Sequence, residues 1–330
     1  MSDETHEHPP GGQALAFGPV PSRRLGLSIG VNAVPRKVCS YNCVFCQLGR
    51  TTDLTTRRDV YTPTDSIVSA IREKLSQAAR TDFVTFIGDG EPTLASNLGE
   101  VLSGVSEFWD GRTALITNGS LFWMPEVREV AARFDVVMPT VSAGDPEVFR
   151  KVHRPHGGLS FEDCVQGLRE FARGYSGRIW AEVMLVRGLN DSPGSLERIG
   201  KIIGSLNPAE VHITAPIRPP SVSSVEAPTR ATVEMALREI PGSVDFTHPE
   251  ATEVPAPGTD PETHLIEISG THPLRREQAI ALLVNSGHSH DEAQRVLDSM
   301  VDSSRLVVLE RHGSKFYVRG RPLPDGALRV

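Results

Sequence analysis

The chain of 330 residues has few cysteines, no excess of positive charge and no long apolar run. Its four cysteines suit a reducing cytosol better than a disulfide-rich secreted domain. No run of about 18 apolar residues occurs, so we expect no membrane span. Residues 1–12 have neither a basic start nor an apolar stretch, so we expect no secretory signal and a cytoplasmic protein. The net charge of −7 argues against a generally basic nucleic-acid binder, although it allows a local basic patch.

Three of the four cysteines are concentrated in one short segment. Cys39, Cys43 and Cys46 have the spacing C-x-x-x-C-x-x-C, and Cys164 stands alone. Thiolates bind soft metals and iron–sulfur clusters. Four of them saturate a [4Fe–4S] cluster or close a structural zinc site. Three leave one position open, which is typical of a metal site built for chemistry.

Spacing alone leaves three other interpretations open. The thiols could form a disulfide, although nothing in the sequence indicates an oxidising compartment. They could bind zinc with His153 or His156 as a fourth ligand. They could also be ordinary buried thiols, which is what we expect of Cys164 in its helical pattern.

Short apolar runs alternate with amphipathic helical patterns through the first two thirds of the chain. The runs cover residues 25–34, 83–87, 113–116, 136–141, 179–186 and 211–214. This alternation predicts an α/β fold with a parallel sheet, open or closed. Right-handed crossovers place the C-terminal ends of parallel strands on one rim. We therefore expect the segments that follow the strands to form one site.

Gly88-Asp-Gly-Glu91 is the segment after the second predicted strand. Its glycines allow a tight turn and a close backbone approach to a ligand. Its carbonyl groups and the Glu91 carboxylate could hold an ammonium group. A glycine-rich turn without a function is the alternative.

The cysteine segment, with Phe45 directly before its last cysteine, resembles the signature of radical S-adenosylmethionine (radical SAM) enzymes. Pro21-Ser-Arg-Arg-Leu-Gly26 and Gln47-Leu-Gly-Arg-Thr51 further resemble a subgroup without an assigned substrate. That subgroup is related to wyosine-type tRNA-modifying enzymes and, more distantly, to nitrogenase-cofactor assembly proteins. The resemblance covers roughly residues 17–220. It implies a partial (β/α)6 TIM-like barrel.

The resemblance also implies two cofactors. Cys39, Cys43 and Cys46 would hold a [4Fe–4S] cluster, and S-adenosylmethionine (SAM) would chelate its fourth iron. Reductive cleavage of SAM would then give a 5′-deoxyadenosyl radical. Gly88, Asp89, Gly90 and Glu91 resemble the family's GGE motif, which binds the SAM amino group, with Asp89 in place of one usual residue.

Five further residues are expected around SAM on the same resemblance and on strand alternation. Asn118 would contact SAM, and Ser142 would meet its ribose. Glu182 would point inward and reach the ribose hydroxyls, although an ion-paired core carboxylate is the alternative. Met184, on the same strand face, would line the adenine pocket or pack in the core. Phe45 would pack over the cluster or the adenine.

The last third of the chain differs in composition. We expect a disordered tail over 1–16, the radical SAM core over 17–220, a linker with one helix over 221–270, a winged-helix-like domain over 271–320 and a tail over 321–330. The last stretch is basic and could touch RNA or DNA, although a packing or protein-interaction module is equally compatible with it. Its basic residues are Arg305, Arg311, Lys315, Arg319, Arg321 and Arg329.

The resemblance and these patterns together predict a radical SAM enzyme. The sequence does not identify its substrate, and RNA such as tRNA, a small phosphorylated metabolite and a peptide all stay open. Basic residues on the substrate side of the rim would favour an anionic substrate. They are Arg23, Arg24, Lys37, Arg50, His153, Arg154 and Arg218. Expected partners are SAM and an electron donor such as flavodoxin or ferredoxin.

The alternative belongs to another class of protein. It is a non-enzymatic binding protein stabilised by a metal or a cluster, or a redox regulator, with a winged-helix recognition module. No second group of cysteines occurs, so we expect no auxiliary cluster with thiolate ligands.

Overall fold

The computed structural model describes residues 13–22, 24–248, 260–311 and 313–320. Most of the expected N-terminal tail, Arg23 and the expected tail over 321–330, with Arg321 and Arg329, lie outside the described residues. No helix of the described ranges is long and apolar enough to cross a bilayer.

Thirteen strands and ten α-helices occur in the described residues. The strands are β1 Ala16–Ser22, β2 Gly26–Val31, β3 Val38–Cys39, β4 Asp53–Leu54, β5 Phe83–Phe86, β6 Arg112–Thr117, β7 Val136–Pro139, β8 Arg178–Met184, β9 Glu210–Thr214, β10 Ser243–Asp245, β11 Leu274–Arg275, β12 Leu306–Arg311 and β13 Ser314–Arg319. The helices are α1 Thr64–Gln77, α2 Leu98–Ser106, α3 Pro125–Ala131, α4 Pro146–His153, α5 Phe161–Gly174, α6 Pro193–Leu206, α7 Arg230–Glu239, α8 Pro261–Thr271, α9 Arg276–Asn285 and α10 His290–Asp302.

An eight-stranded sheet organises the first three quarters of the chain, in the order β1-β2-β5-β6-β7-β8-β9-β10. β1 is antiparallel to β2, and every later neighbour pairs in parallel. The two edge strands do not pair with each other among the described residues, so the sheet is open. The predicted α/β class is confirmed, and the open parallel sheet is consistent with a partial barrel.

The central strands are largely apolar because they are buried in the sheet. All four residues of β5 and all four of β7 are buried. Parallel strands that are covered on both faces have such continuous apolar runs. Serine caps fix the starts of two covering helices, since Ser160 Oγ accepts the N–H of Asp163 and Ser192 Oγ accepts that of Ser195. These connections place the strand ends on one rim.

The C-terminal elements form a second, smaller body, which we call the C-terminal module (residues 260–320 as far as they are described). Its sheet has the order β11-β13-β12, and its apolar core includes Leu265, Leu282 and Leu297. The module packs against the N-terminal strands, because Val20 joins that core. The segment expected as a linker contains α7, β10 and α8, and β10 is the last strand of the large sheet.

Candidate functional site

A cavity of about 330 Å³ lies at the rim where the parallel strands end. Eleven of the twelve residues expected around the cluster and SAM line it. They are Cys39, Cys43, Phe45, Cys46, Gly88, Asp89, Gly90, Glu91, Asn118, Glu182 and Met184. Segments more than 140 residues apart in the sequence therefore meet at one place, as the parallel sheet requires.

The cysteine segment runs from β3 to β4 and is fixed by its backbone. The N–H of Asn42 donates to the carbonyl of His153 at 2.9 Å, and that of Val44 donates to Val152 at 3.0 Å. On the other side, Ser221 Oγ donates to the carbonyl of Cys43 at 2.7 Å. The loop is therefore held between the end of α4 and the segment that follows β9.

All three cysteines of the segment are free thiols and are partly exposed to the cavity. Burial, together with the nearby Glu91 carboxylate, raises the pKa of the Cys39 thiol to about 12. Burial also raises the pKa of Cys43 well above its usual value. Both groups would become thiolates on binding a metal, because the ion's charge favours deprotonation. Cys164 is buried and donates to the carbonyl of Ser120 at 3.4 Å.

Each cysteine sulfur of the segment has a nitrogen-bearing side chain beside it. The three pairs are Lys37 Nζ with Cys46 Sγ at 3.1 Å, His153 Nδ1 with Cys43 Sγ at 3.3 Å, and Asn118 Nδ2 with Cys39 Sγ at 3.7 Å. Burial lowers the pKa of His153 to about 3, so this imidazole is neutral. The cysteines thus lie among hydrogen-bond donors.

Gly88-Asp-Gly-Glu91 packs directly on the start of the cysteine segment. The N–H of Glu91 donates to the carbonyl of Val38 at 3.1 Å. A Cβ added to Gly90 would lie 2.0 Å from that same carbonyl oxygen, so only glycine fits here. Gly88 has a φ of +70°, which also favours glycine.

The Glu91 carboxylate is buried and accepts four hydrogen bonds. Its Oε1 accepts from Thr93 N, Thr93 Oγ1 and Thr117 Oγ1, at 3.1, 2.7 and 2.6 Å. Its Oε2 accepts the N–H of Asn118 at 2.8 Å. Burial still raises its pKa, although these bonds oppose the shift. A cationic ligand in the cavity would stabilise the ionised form.

Asp89 is buried, and one of its oxygens, Oδ1, has no hydrogen-bond partner in the described structure. The other oxygen lies 3.9 Å from the Arg36 guanidinium. Burial raises the pKa of Asp89 to about 6, against the opposing charges of Arg36 and Lys37. Asn32 Oδ1, beside Gly88, is a second buried acceptor without a partner. An unpartnered buried acceptor is costly unless a donor reaches it, and Asp89 lines the cavity whereas Asn32 does not, so the Asp89 side of the cavity suits a ligand with N–H groups.

Glu182 and Met184 line the cavity from β8, as strand alternation predicts. Glu182 pairs with Arg24 through Oε2, with both side chains largely shielded from solvent. Ser142 differs, because it is fully buried and does not line this cavity. Its Oγ accepts the N–H of Met184 at 2.9 Å. Its expected contact with the ribose stays a prediction.

The residues expected on the substrate side divide into two groups. Arg24, Lys37 and Arg218 line the cavity, whereas Arg50 is exposed and Arg154 lines a separate groove. His153 lies behind the cysteine segment, with its ring 5.8 Å from that of Phe45.

Sequence reasoning missed several residues that line the cavity, among them Phe246 after β10 and His272 from the C-terminal module. The guanidinium of Arg218 contacts His272 Nε2 and donates to Gln47 Oε1 at 3.2 Å. The C-terminal module is therefore part of the cavity wall. No sequence pattern marks either residue as a site residue.

A mononuclear metal site and an iron–sulfur cluster place different demands on these side chains. Among the described residues, no three His, Cys, Asp or Glu side chains are close enough to hold a metal ion. His156, considered as a zinc ligand, accepts the N–H of Gly158 instead. In a [4Fe–4S] cluster each thiolate binds a different iron, so the sulfurs need not converge on one point. Three thiols beside an open cavity fit such a cluster.

Comparison with known proteins identifies the family of the chain. The family model of the radical SAM superfamily matches residues 34–197. A UPF0026 protein of Methanocaldococcus jannaschii is 34% identical over 314 residues, which cover 92% of this chain and 96% of the relative. A UPF0026 protein of Helicobacter pylori is 28% identical over 314 residues, which cover 94% of this chain and 98% of that relative.

A solved structure shares the fold. The radical SAM methyltransferase from Sphaerobacter thermophilus superposes with a TM-score of 0.50 at 16% identity, over 68% of this chain and 67% of that chain. Membership of the superfamily implies a [4Fe–4S] cluster and SAM. The chain belongs to the radical SAM superfamily and, within it, to the family of UPF0026 proteins.

Proposed function

We propose that this protein is a radical SAM enzyme that binds its cluster through Cys39, Cys43 and Cys46. When bound together, the cluster and SAM supply reductive cleavage of the sulfonium and a 5′-deoxyadenosyl radical that abstracts hydrogen from a substrate. One observation carries the proposal. The three thiols and the Gly88-Asp-Gly-Glu91 segment line the same cavity.

The strand-end segment would bind the amino group of SAM. An ammonium donates several hydrogen bonds, and this wall offers Asp89 Oδ1 without a partner and the Glu91 carboxylate. Because Gly90 has no side chain, the Gly88-Asp-Gly-Glu91 segment packs closely on the backbone just before Cys39. This contact would hold the SAM-binding segment and the cysteine segment in fixed positions relative to each other.

The remaining lining residues would hold the nucleoside part of SAM. We propose that Glu182 binds the ribose with its oxygen that does not face Arg24. Met184 and Phe45 would pack against the adenine, since both line the cavity and belong to one apolar cluster. The side chain of Asn118 would orient SAM relative to Cys39.

The C-terminal module would close the cavity and keep water from the radical. Its order of helix, strand, two helices and two strands supports our proposal that it is a winged-helix-like domain. Two of its basic residues make internal contacts, because Arg305 pairs with Glu262 and Arg311 donates to the carbonyl of Val225. These contacts favour a structural role for the module over nucleic-acid binding.

We propose a small anionic substrate, such as a phosphorylated metabolite. Arg24 and Arg218 line the cavity beside the proposed SAM-binding residues, and their positive charges favour a negatively charged substrate. Membership of the superfamily does not favour the non-enzymatic alternative. An electron donor such as flavodoxin or ferredoxin would supply the electron.

Cluster spectroscopy tests the proposal directly. The protein is reconstituted anaerobically with iron and sulfide, reduced, and studied by electron paramagnetic resonance (EPR) with and without SAM. We expect a reduced [4Fe–4S] signal that SAM alters, and no such signal in Cys43→Ala. A protein that takes up only zinc, or a signal that SAM leaves unchanged, would contradict the proposal.

A further inference from the structure

The three nitrogen-bearing side chains beside the cysteine sulfurs come from separate parts of the fold. Lys37 precedes the cysteine segment, His153 ends α4, and Asn118 follows β6. Each is paired with a different sulfur, at the distances given above. Three independent elements thus provide one side-chain donor for each proposed cluster ligand.

Lys37 is held in an unusual conformation that brings its ammonium group to Cys46. Its φ is +64°, a left-handed value that is strained for a residue with a side chain. Its N–H donates to the carbonyl of Asp89 at 2.8 Å, and its own carbonyl accepts the N–H of Asp53 at 3.2 Å. The side chain is buried, so its Nζ has little water around it. A buried ammonium needs a partner, and the sulfur at 3.1 Å is that partner.

His153 is only 2% exposed and lies among aromatic rings. The ring centres of Tyr41 and Phe149 are 5.0 and 5.7 Å from its own. This packing fixes the ring plane and directs Nδ1 at Cys43 Sγ. A thiolate accepts hydrogen bonds, so it selects the neutral tautomer that carries the proton on Nδ1.

We infer that Lys37, His153 and Asn118 are positioning residues that donate N–H···S hydrogen bonds to the cluster thiolates and thereby raise the reduction potential of the cluster. The inference rests on the proposed function, because it requires the cysteines to hold that cluster. Reduction adds one negative charge to the cluster and its sulfurs. Donors stabilise the more negative state more strongly, so the reduced form gains most.

The three contacts differ in expected strength. Lys37 carries a charge and has the shortest distance, so its effect is the largest. His153 is buried, where hydrogen bonds are stronger than in water. Asn118 is farthest from its sulfur, and its Nδ2 also donates to Ser40 Oγ at 2.9 Å, so its effect is the smallest.

A redox titration of the reconstituted protein, followed by EPR, tests the inference. Lys37→Met removes the donor with little change in length, and His153→Phe keeps the ring packing but removes Nδ1. At the wild-type midpoint potential we expect the ratio of reduced to oxidised cluster to fall about tenfold in Lys37→Met, which is about 59 mV for one electron. We expect a smaller fall in the same direction in His153→Phe.

Two controls separate hydrogen bonding from charge and from misfolding. Lys37→Arg keeps both the N–H donor and the positive charge and should give a potential near that of the wild type. Arg50→Met removes a positive charge from the exposed end of the same loop and should leave the potential unchanged. Iron and sulfide contents are measured for each variant, so that only fully loaded proteins are compared.

A second measurement needs no variant. In wild-type protein labelled with ¹⁵N-histidine, the reduced cluster should show a pulsed-EPR coupling to one histidine nitrogen, because His153 is the described histidine that contacts a cysteine sulfur. The absence of that coupling, or variants with the wild-type potential, would overturn the inference while leaving the proposed function intact. A wild-type protein that binds no cluster would instead refute the proposed function.

Discussion

The N–H of Asn118 donates a hydrogen bond to Glu91 Oε2 over 2.8 Å, and this bond joins the segments that follow two adjacent parallel strands, β5 and β6. Glu91 is therefore both a proposed ligand of the SAM amino group and a structural link across the rim. Its substitution will change stability as well as ligand binding, so the two effects have to be measured separately.

We predict that Glu91→Gln weakens SAM binding at least tenfold and lowers the free energy of unfolding by about 1–3 kcal/mol. The new amide group turns an N–H towards donors, which leaves buried hydrogen-bonding groups unpaired. Isothermal titration with SAM and chemical unfolding measure the two effects. The exposed Glu107→Gln is the matched control and should change neither. A folded Glu91→Gln protein with the wild-type affinity for SAM would exclude Glu91 as a ligand.

We predict that Gly90→Ala lowers both stability and cluster content. Its Cβ would fall 2.0 Å from the carbonyl oxygen of Val38, one residue before Cys39, so the cysteine segment has to move. Overpacking of this kind typically costs about 1–3 kcal/mol. Gly157→Ala is the control, because nothing lies within 4 Å of its added Cβ. Equal iron contents in the two variants would show that the cysteine segment does not depend on this contact.

We predict that stability falls below about pH 6.5 and that His264 contributes to this fall. His264 is buried in the C-terminal module, where both its ring nitrogens lack partners among the described residues, and burial lowers its pKa to about 4. The unfolded chain binds the proton near its usual pKa of about 6.5. The stabilising effect is therefore complete above pH 6.5 and is lost progressively as the pH falls towards 4.

Urea unfolding at pH 7.5 and pH 5 measures this dependence. The contribution of His264 amounts to about 2 kcal/mol between the two values. His264→Leu should reduce the difference by that amount, and the exposed His290→Gln should leave it unchanged. An identical pH dependence in wild type and His264→Leu would contradict the prediction.

We predict that Arg311→Met loosens the C-terminal module without changing RNA binding. The guanidinium of Arg311 donates to the carbonyl of Val225 at 2.8 Å, so its loss costs about 1 kcal/mol. Limited proteolysis should cut the module faster in this variant than in the exposed Lys315→Met. Filter binding with tRNA at several salt concentrations tests whether RNA binding is unchanged. A large loss of tRNA affinity in Arg311→Met would indicate a nucleic-acid surface instead.

The sequence predicts the six central strands well because their signals are local. The runs at 83–87 and 136–141 are apolar except for one threonine each, as is typical of buried parallel strands, and the structure has β5 and β7 there. The C-terminal ends of parallel strands lie on one rim, so the order of strands alone predicts that the cysteine segment and Glu91 lie close together.

Other features depend on contacts that no local pattern carries. β10 has only three residues, two of them polar, and it becomes a strand because β9 offers a free edge. His272 reaches the cavity through packing of the C-terminal module against strands some 250 residues earlier. Ser142 has a position in the chain that suits a ribose contact, but its hydroxyl is used by the backbone of Met184. Such outcomes follow from tertiary packing rather than from periodicity.

Formation of 5′-deoxyadenosine tests the proposed enzyme activity most directly. The reconstituted protein is incubated anaerobically with SAM and a strong reductant, and the products are separated by chromatography and identified by mass. We predict 5′-deoxyadenosine from the wild type and none from Cys43→Ala, because the radical chemistry requires the cluster. A fully loaded wild type that binds SAM but yields no more 5′-deoxyadenosine than Cys43→Ala, with any candidate substrate, would contradict the proposed function.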